Sequence, residues 1–284
     1  MEPRRRRRAL RLVTLGLVGV VVLGAAALAG VWAFQARIVY HPNRTAPPPA
    51  GQVIPGARDV TLTTDDGLRL QAWFVAPSEG ARDQAVLVAP GNGGNRLGRA
   101  GFARELAARG FAVLLMDYRG FGGNPGTPSE DGLLQDAAAA QRALEGLGYP
   151  PSRTIYYGES IGTGVVAGLQ ARVPPAGVVL RSPFTSLADV GRHLVPLPAP
   201  VLRWVLDRNR FPVAEQMAAS RVPLTVIQGD ADRLVTPSQS DAVAARAGNL
   251  VEHLVIPDAG HDDPALFGPV VADAVARLGD HVKG

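Results

Sequence analysis

Six short, largely apolar runs divide the chain: Ala85–Ala89, Ala112–Met116, Thr154–Tyr157, Val178–Leu180, Leu224–Ile227 and Val251–Ile256. Each is too short for a helix, and continuous apolar runs of this length suit strands covered on both faces. Helical patterns fall between and after them, near Leu97–Ala108, Glu130–Leu147, Ile161–Arg172, Ser238–Ala247 and Asp263–Leu278. Ahead of the series, Val60–Thr64 and Leu68–Val75 alternate around Asp66-Gly67, a hairpin signal. A hairpin followed by β-α repeats predicts an α/β fold: a mostly parallel twisted sheet with helices on both faces. Sheets of this kind bind their ligands beyond the C-terminal ends of the strands.

The chain before the hairpin is of another kind. Leu12–Phe34 contains no charged residue. As a helix it would extend about 34 Å, enough to cross a bilayer core. Six arginines precede it (Arg4 to Arg8 and Arg11) and two follow it closely (Arg37 and Arg44), while Trp32 and Phe34 stand at its far end. That asymmetry predicts a single-pass anchor in the cell membrane, with the N-terminus cytosolic and the rest extracytoplasmic. A cleaved signal peptide is the competing reading, with Ala27-Leu28-Ala29 as the cleavage site; the length of the run favours the anchor. The expected organisation is a cytosolic basic tail (1–11), a transmembrane anchor (12–34), a Pro-rich tether (35–52) and a globular domain (53–284). Within that domain Pro183–Pro223 interrupts the alternation. It is Pro-rich, holds Trp204, and is expected to form a small cap with one helix near Val201–Arg208.

Composition removes several function classes. The formal net charge is +4, but residues 1–11 hold six arginines against Glu2, and the remainder carries 23 basic and 24 acidic side chains. No basic stripe is left for a nucleic-acid backbone. There is no cysteine, which excludes disulfides, thiolate metal sites and a thiol nucleophile. No H-E-x-x-H pattern occurs either, and neither a metal nor a cofactor is expected.

Gly158-Glu159-Ser160-Ile161-Gly162 is G-x-S-x-G, placed between a predicted strand and a predicted helix. In that context the serine sits on a tight strand-to-helix turn, and the glycines let strand and helix approach so that Oγ projects outward. A lone serine at a helix start would merely cap it; partners decide. A hydroxyl needs a base to become a nucleophile. Of the five histidines, His41 lies beside the anchor, His193 in the cap segment, His253 within a strand and His281 at the C-terminus. His261 follows the last strand, in Asp258-Ala259-Gly260-His261, and is the candidate base. Asp230 and Asp232 both follow Leu224–Ile227. Asp232 is preferred as the acid because the longer loop carries its carboxylate toward the histidine, and Asp230 is the alternative.

An oxyanion needs two backbone donors. Ile161, after the nucleophile, offers one, and Asn92, in Pro90-Gly91-Asn92-Gly93-Gly94-Asn95 after the strand Ala85–Ala89, offers the other. The same loop, with Asp117 ending the next strand, imitates a dinucleotide fingerprint, but Arg96 stands where the third glycine belongs.

Taken together, Val39-Tyr40-His41-Pro42, Pro90 to Asn95, Asp117-Tyr118-Arg119-Gly120-Phe121-Gly122, Gly158 to Gly162, Arg181-Ser182-Pro183-Phe184, Gly229 to Pro237 and Gly260-His261 resemble the membrane-anchored α/β-hydrolases, in their serine aminopeptidase-like or esterase-like branch. The resemblance implies the α/β-hydrolase fold, Ser160, Asp232 and His261 as catalytic triad, and Asn92 and Ile161 as oxyanion donors. One departure is Pro90, where the family loop usually has histidine. The expected activity is serine-dependent cleavage of an ester, thioester or amide, on a small-molecule or lipid acyl substrate. Two alternatives are an aminopeptidase-like amide hydrolase and a non-catalytic membrane-tethered binding module on the same scaffold.

Overall fold

The computed structural model describes residues 2–78, 80–195 and 197–283. Met1 of the basic tail, Glu79, Pro196 of the expected cap and Gly284 lie outside the described residues. A long helix α1 (Glu2–Ala33) leads into two short ones, α2 (Gln35–Val39) and α3 (Ala50–Val53). The hairpin follows as β1 (Arg58–Thr63) and β2 (Arg69–Val75). Alternation then runs β3 (Ala85–Ala89), α4 (Ala100–Ala108), β4 (Ala112–Met116), α5 (Glu130–Gly146), β5 (Thr154–Glu159), α6 (Ile161–Gln170) and β6 (Gly177–Arg181). Three helices come next: α7 (Leu187–Leu194), α8 (Ala199–Val205) and α9 (Val213–Ala219). The chain closes with β7 (Leu224–Gly229), α10 (Pro237–Arg246), β8 (Leu250–Ile256) and α11 (Pro269–His281).

The eight strands form one sheet in the order β1-β2-β4-β3-β5-β6-β7-β8. Pairings β1–β2 and β2–β4 are antiparallel; all others are parallel. Side chains of a strand alternate between faces, and here both faces are covered. Ala85, Leu87 and Ala89 of β3 join the core beneath α5, α6 and α9, whereas Val86 and Val88 join the opposite core beneath α4 and α11. The same division splits Ala112, Leu114 and Met116 from Val113 and Leu115 in β4. That is why these runs read as continuously apolar. The edge strand β8 leaves Leu250, Val251 and Val255 exposed.

Helix ends follow local chemistry. Ser129 caps α5 by accepting from Gly132 N–H at 3.1 Å, with Glu130 and Asp131 in the favourable first turn. Two helices start later than the periodicity predicts. Asn95 accepts from Leu97 N–H and turns Arg96–Arg99 into a 3₁₀ segment before α4. Asp263 does the same for Pro264–Phe267, and extended Gly268 delays α11 to Pro269.

Three segments differ from expectation. Among its described residues the cap segment 183–223 contains three helices instead of one. Of these, α7 and α8 pack on each other, whereas α9 packs on α6 and α10 and belongs to the main layer. Phe211, ahead of α9, is buried against α6, where a Cβ on Gly164 would come within 2.5 Å of its ring. The stretch 35–52, expected as a tether, lies against the domain: Tyr40 is buried and donates to Asn209 Oδ1 at 2.6 Å, and Asn43 and Thr45 carbonyls accept from Gly122 N–H and Asn95 Nδ2. Its apolar and backbone groups have partners there that composition alone does not reveal. The last turn of α1 also meets α8: Trp32 Nε1 donates to Asp207 Oδ1 at 3.0 Å, and the Arg208 guanidinium lies 3.9 Å from the Trp32 ring centroid. Within α1, Leu10–Ala33 is long and apolar enough to cross a membrane.

Candidate active site

The C-terminal ends of four parallel strands supply one cluster. β5 ends one residue before Ser160, which stands at φ +52°, ψ −118°, outside the regions L-residues prefer. Such a residue costs about 1–3 kcal/mol and persists only where its surroundings hold it. Here Ser160 N–H donates to Arg181 O of β6 at 2.9 Å, and its carbonyl accepts from Thr163 N–H and from Thr163 Oγ1. The flanking glycines are steric necessities: a Cβ on Gly158 would come within 2.5 Å of Gly162 O, and one on Gly162 within 2.2 Å of Ala89 O.

His261 Nε2 lies 3.0 Å from Ser160 Oγ, and His261 Nδ1 lies 2.7 Å from Asp232 Oδ2. An ionised carboxylate only accepts, so Nδ1 carries a proton and Nε2 faces the serine as acceptor in the neutral ring. Asp232 is buried, and its other oxygen accepts from Leu234 and Val235 N–H at 2.9 Å each. Burial alone would raise its pKa. The hydrogen bond and charge interaction with His261, with the two amides, outweigh burial and hold it below the usual carboxylate value. The alternative acid, Asp230, is committed elsewhere: it accepts from Asp258 N–H at 2.7 Å and braces the turn that carries the histidine. The other histidines stand apart from this cluster. His193 reaches Arg233 O, His253 lies 3.7 Å from Asp241, and His281 ends α11. His41 borders a neighbouring cavity and gives its N–H to the Asn92 side chain.

Ile161 is the first residue of α6, so its N–H has no acceptor within the helix and points out at the positive end of the helix dipole. Asn92 and Ser160 both border the same space. The Asn92 side chain is spent on structure, donating to Val39 O and accepting from His41 N–H, which ties the loop to the segment after α1. The family's histidine is absent at Pro90, and the brace comes instead from Tyr118, whose hydroxyl donates to Pro90 O at 3.0 Å. Asp117 is no nucleotide ligand here. Its carboxylate accepts from Arg96 N–H at 2.7 Å and Arg96 Nη1 at 2.6 Å in a buried pair, and burial raises its pKa to about 6 in spite of the arginine.

Sequence reasoning missed what lies beneath Ser160. Glu159, the variable residue of the G-x-S-x-G turn, is buried between two arginines, with Arg99 Nε at 3.1 Å and Arg181 Nη2 at 2.9 Å. Burial would raise its pKa, but Arg181 and Arg99 pull it below the usual value. Arg181 is fully buried, donates to His261 O at 2.7 Å, and has its guanidinium 4.5 Å from the Phe267 ring centroid. The turn that carries Ser160 and the loop that carries His261 are thus joined through one ion-pair network. A Cβ on Gly91 would meet Glu159 Oε1 at 2.6 Å, which explains that glycine. The available signal was two charges at the ends of strands otherwise apolar.

Two cavities meet at Ser160. One, of about 380 Å³, is bordered by Gly91, Arg99, Glu159, Asp262 and Phe267. The other, of about 670 Å³, runs between α7, α8 and the segment around α2, and is lined mainly by aliphatic side chains such as Leu187, Val190, Leu202 and Val205. No acidic residue lines it among the described residues.

The chain is similar to several known proteins. The serine aminopeptidase S33 family profile matches residues 80–212. An uncharacterised protein of Mycobacterium tuberculosis is 43% identical, over 93% of this chain and 94% of its own length. Human alpha/beta hydrolase domain-containing protein 17B is 32% identical, over 72% of this chain and 69% of its own. Among solved structures, the Pyrococcus furiosus esterase Pf2001 superposes with a TM-score of 0.66 at 22% identity, covering 86% of this chain and 100% of the esterase.

Proposed function

The chain belongs to the α/β-hydrolase family, and from that premise we propose that it is a serine hydrolase cleaving an acyl ester, thioester or amide through a covalent intermediate on Ser160. One observation carries this reading: the unbroken hydrogen-bond chain from Ser160 Oγ through His261 to buried Asp232. As Oγ attacks the substrate carbonyl, Nε2 takes its proton, and Asp232 stabilises the imidazolium and keeps the ring oriented. The oxyanion is received by the N–H groups of Asn92 and Ile161, each worth about 2.7–4 kcal/mol in the transition state. His261 then returns the proton to the leaving group, and water activated by the same ring releases the acid from Ser160.

The larger cavity favours an apolar acyl group, hence a lipidic or acylated substrate. An aminopeptidase-like reading draws on the S33 match. It requires a carboxylate to receive a substrate's ammonium; the larger cavity supplies none among the described residues, and at the smaller one exposed Asp262 is the candidate. The proposed setting is the cell membrane, with 12–34 as a single-pass anchor, a cytosolic N-terminus and an extracytoplasmic domain. Turnover of p-nitrophenyl acyl esters tests the activity. Wild type should hydrolyse them and His261→Ala should lose at least about a thousandfold in rate. Equal turnover by both proteins, or none by wild type across acyl lengths, would refute the proposal.

A further inference from the structure

The acyl cavity borrows a wall from the anchor. Val31, in the last turn of α1, and Ile38 of α2 line it together with Leu194 and Leu197 of the cap region, and Ser160 lines the same cavity. Val31 also lies inside the stretch long and apolar enough to span a membrane, Leu10–Ala33. A cavity bordered by the end of a spanning helix opens where hydrocarbon meets headgroups.

The surroundings match that position. Phe34, Ile38, Leu194 and Trp204 are each more than half or half exposed, at 53, 54, 57 and 50%. Phe34 and Ile38 follow the end of the span, Leu194 ends α7 and Trp204 lies on α8, which packs on α7 and meets α1; exposed apolar side chains on elements that pack together mark an interaction surface. The cap cannot drift from the span without breaking the contacts between Trp32 and both Asp207 and Arg208. Arg203, Arg208 and Arg210 on and after α8 are exposed, and arginine suits lipid headgroups.

We propose that the cap α7–α8 is seated in the membrane interface and that the substrate is a bilayer lipid, whose acyl chain enters the cavity sideways along the end of α1 without crossing water. The inference rests on Ser160 as nucleophile and on α1 as anchor. Ser160 Oγ forms a bond to the lipid's acyl carbon, the lipid alcohol leaves with the proton held by His261, and water then adds its hydroxyl to the acyl carbon and its proton returns to Ser160.

The test uses full-length protein in vesicles of phosphatidylcholine and phosphatidylglycerol, with two substrates on the same preparation: water-soluble p-nitrophenyl butyrate and a fluorogenic long-chain acyl ester lipid in the bilayer. Phe34→Glu and Trp204→Glu alter exposed residues that do not line the cavity. Each should lower turnover of the bilayer substrate at least tenfold while butyrate hydrolysis stays within twofold. Brominated lipids should quench part of the wild-type tryptophan fluorescence, and that part should shrink in Trp204→Phe. If the substitutions leave bilayer turnover unchanged, or lower both substrates equally, or if Trp204→Phe leaves the quenched fraction intact, the proposal is overturned. Hydrolysis surviving in Ser160→Ala would instead overturn the nucleophile assignment on which it rests.

Discussion

Replacing Glu159 by glutamine keeps the shape of the side chain and removes its charge. The carboxylate is 3% exposed and faces Arg181 at 0% and Arg99 at 11%. In the variant Arg181 remains as a buried cation without its counter-charge, left with neutral neighbours such as the ring of Phe267, the His261 carbonyl and Ser182 Oγ. Breaking a buried pair by removing one partner costs about 3–5 kcal/mol. For a domain of this size each kcal/mol moves Tm by about 2–4 °C, so the midpoint should fall by about 6–20 °C in a thermal melt in detergent micelles. Catalysis should suffer as well, because Arg181 holds the loop carrying His261. A displacement near 1 Å there is worth up to about a hundredfold, and it should appear in kcat more than in KM for a short soluble ester. The double variant Glu159→Leu with Arg181→Met removes both charges and should recover most of the stability but not the rate. A fall in Tm below about 2 °C with unchanged kcat for Glu159→Gln would refute the claim that this network holds the site together.

Other outcomes follow from single contacts. Asp232→Asn preserves the packing but lets the imidazole adopt the wrong tautomer, and kcat on a soluble ester should drop by about 10³–10⁴-fold. The folded-state pKa of Asp232 lies below its ordinary 3.8, so its ionised form adds stability that is present above pH 3.8 and lost as acid carries the pH down through the depressed value. The denaturant-midpoint gap between wild type and Asp232→Asn should therefore narrow below about pH 4; a gap constant from pH 6 to pH 3 would contradict this. Gly91→Ala places a methyl group against Glu159 Oε1, and should cut kcat by about tenfold or more in steady-state assays through displacement of the Asn92 donor. Across a series of soluble p-nitrophenyl esters, each methylene buried in the cavity is worth about 0.8 kcal/mol. kcat/KM should rise about fourfold per added carbon until the cavity is full, and a flat or falling series would argue against an acyl-chain site.

Much of this arrangement was legible in the sequence, for physical reasons that differ by region. β3 and β4 could be read to the residue, because a strand buried on both faces has no polar position to blur its ends. Ser160, His261 and Asp232 could be singled out because the chemistry proposed for them demands particular residue types at strand ends, and the three side chains lie together in the structure. Choosing Asp232 over Asp230 rested on loop length, and the geometry supplies the reason in the bond from Asp258 N–H to Asp230. The helices α7 and α9 were not readable. They are short and lie in a Pro-rich stretch, and they are fixed by tertiary contacts such as Phe211 against Gly164 more than by periodicity. The Glu159–Arg99–Arg181 network joins residues far apart in sequence, so no local pattern announces it. Nor could composition reveal that the segment after α1 is held down by Tyr40 and Asn92, since its proline content suggests a free linker.

The central claim is that Ser160 becomes covalently acylated. Intact-protein mass spectrometry after treatment with a fluorophosphonate, followed by peptide mapping, tests it most directly. The account predicts a single adduct on the peptide containing Ser160 in wild type, greatly slowed in His261→Ala and absent in Ser160→Ala. An adduct of equal yield in Ser160→Ala, or one mapped to another residue, would contradict it.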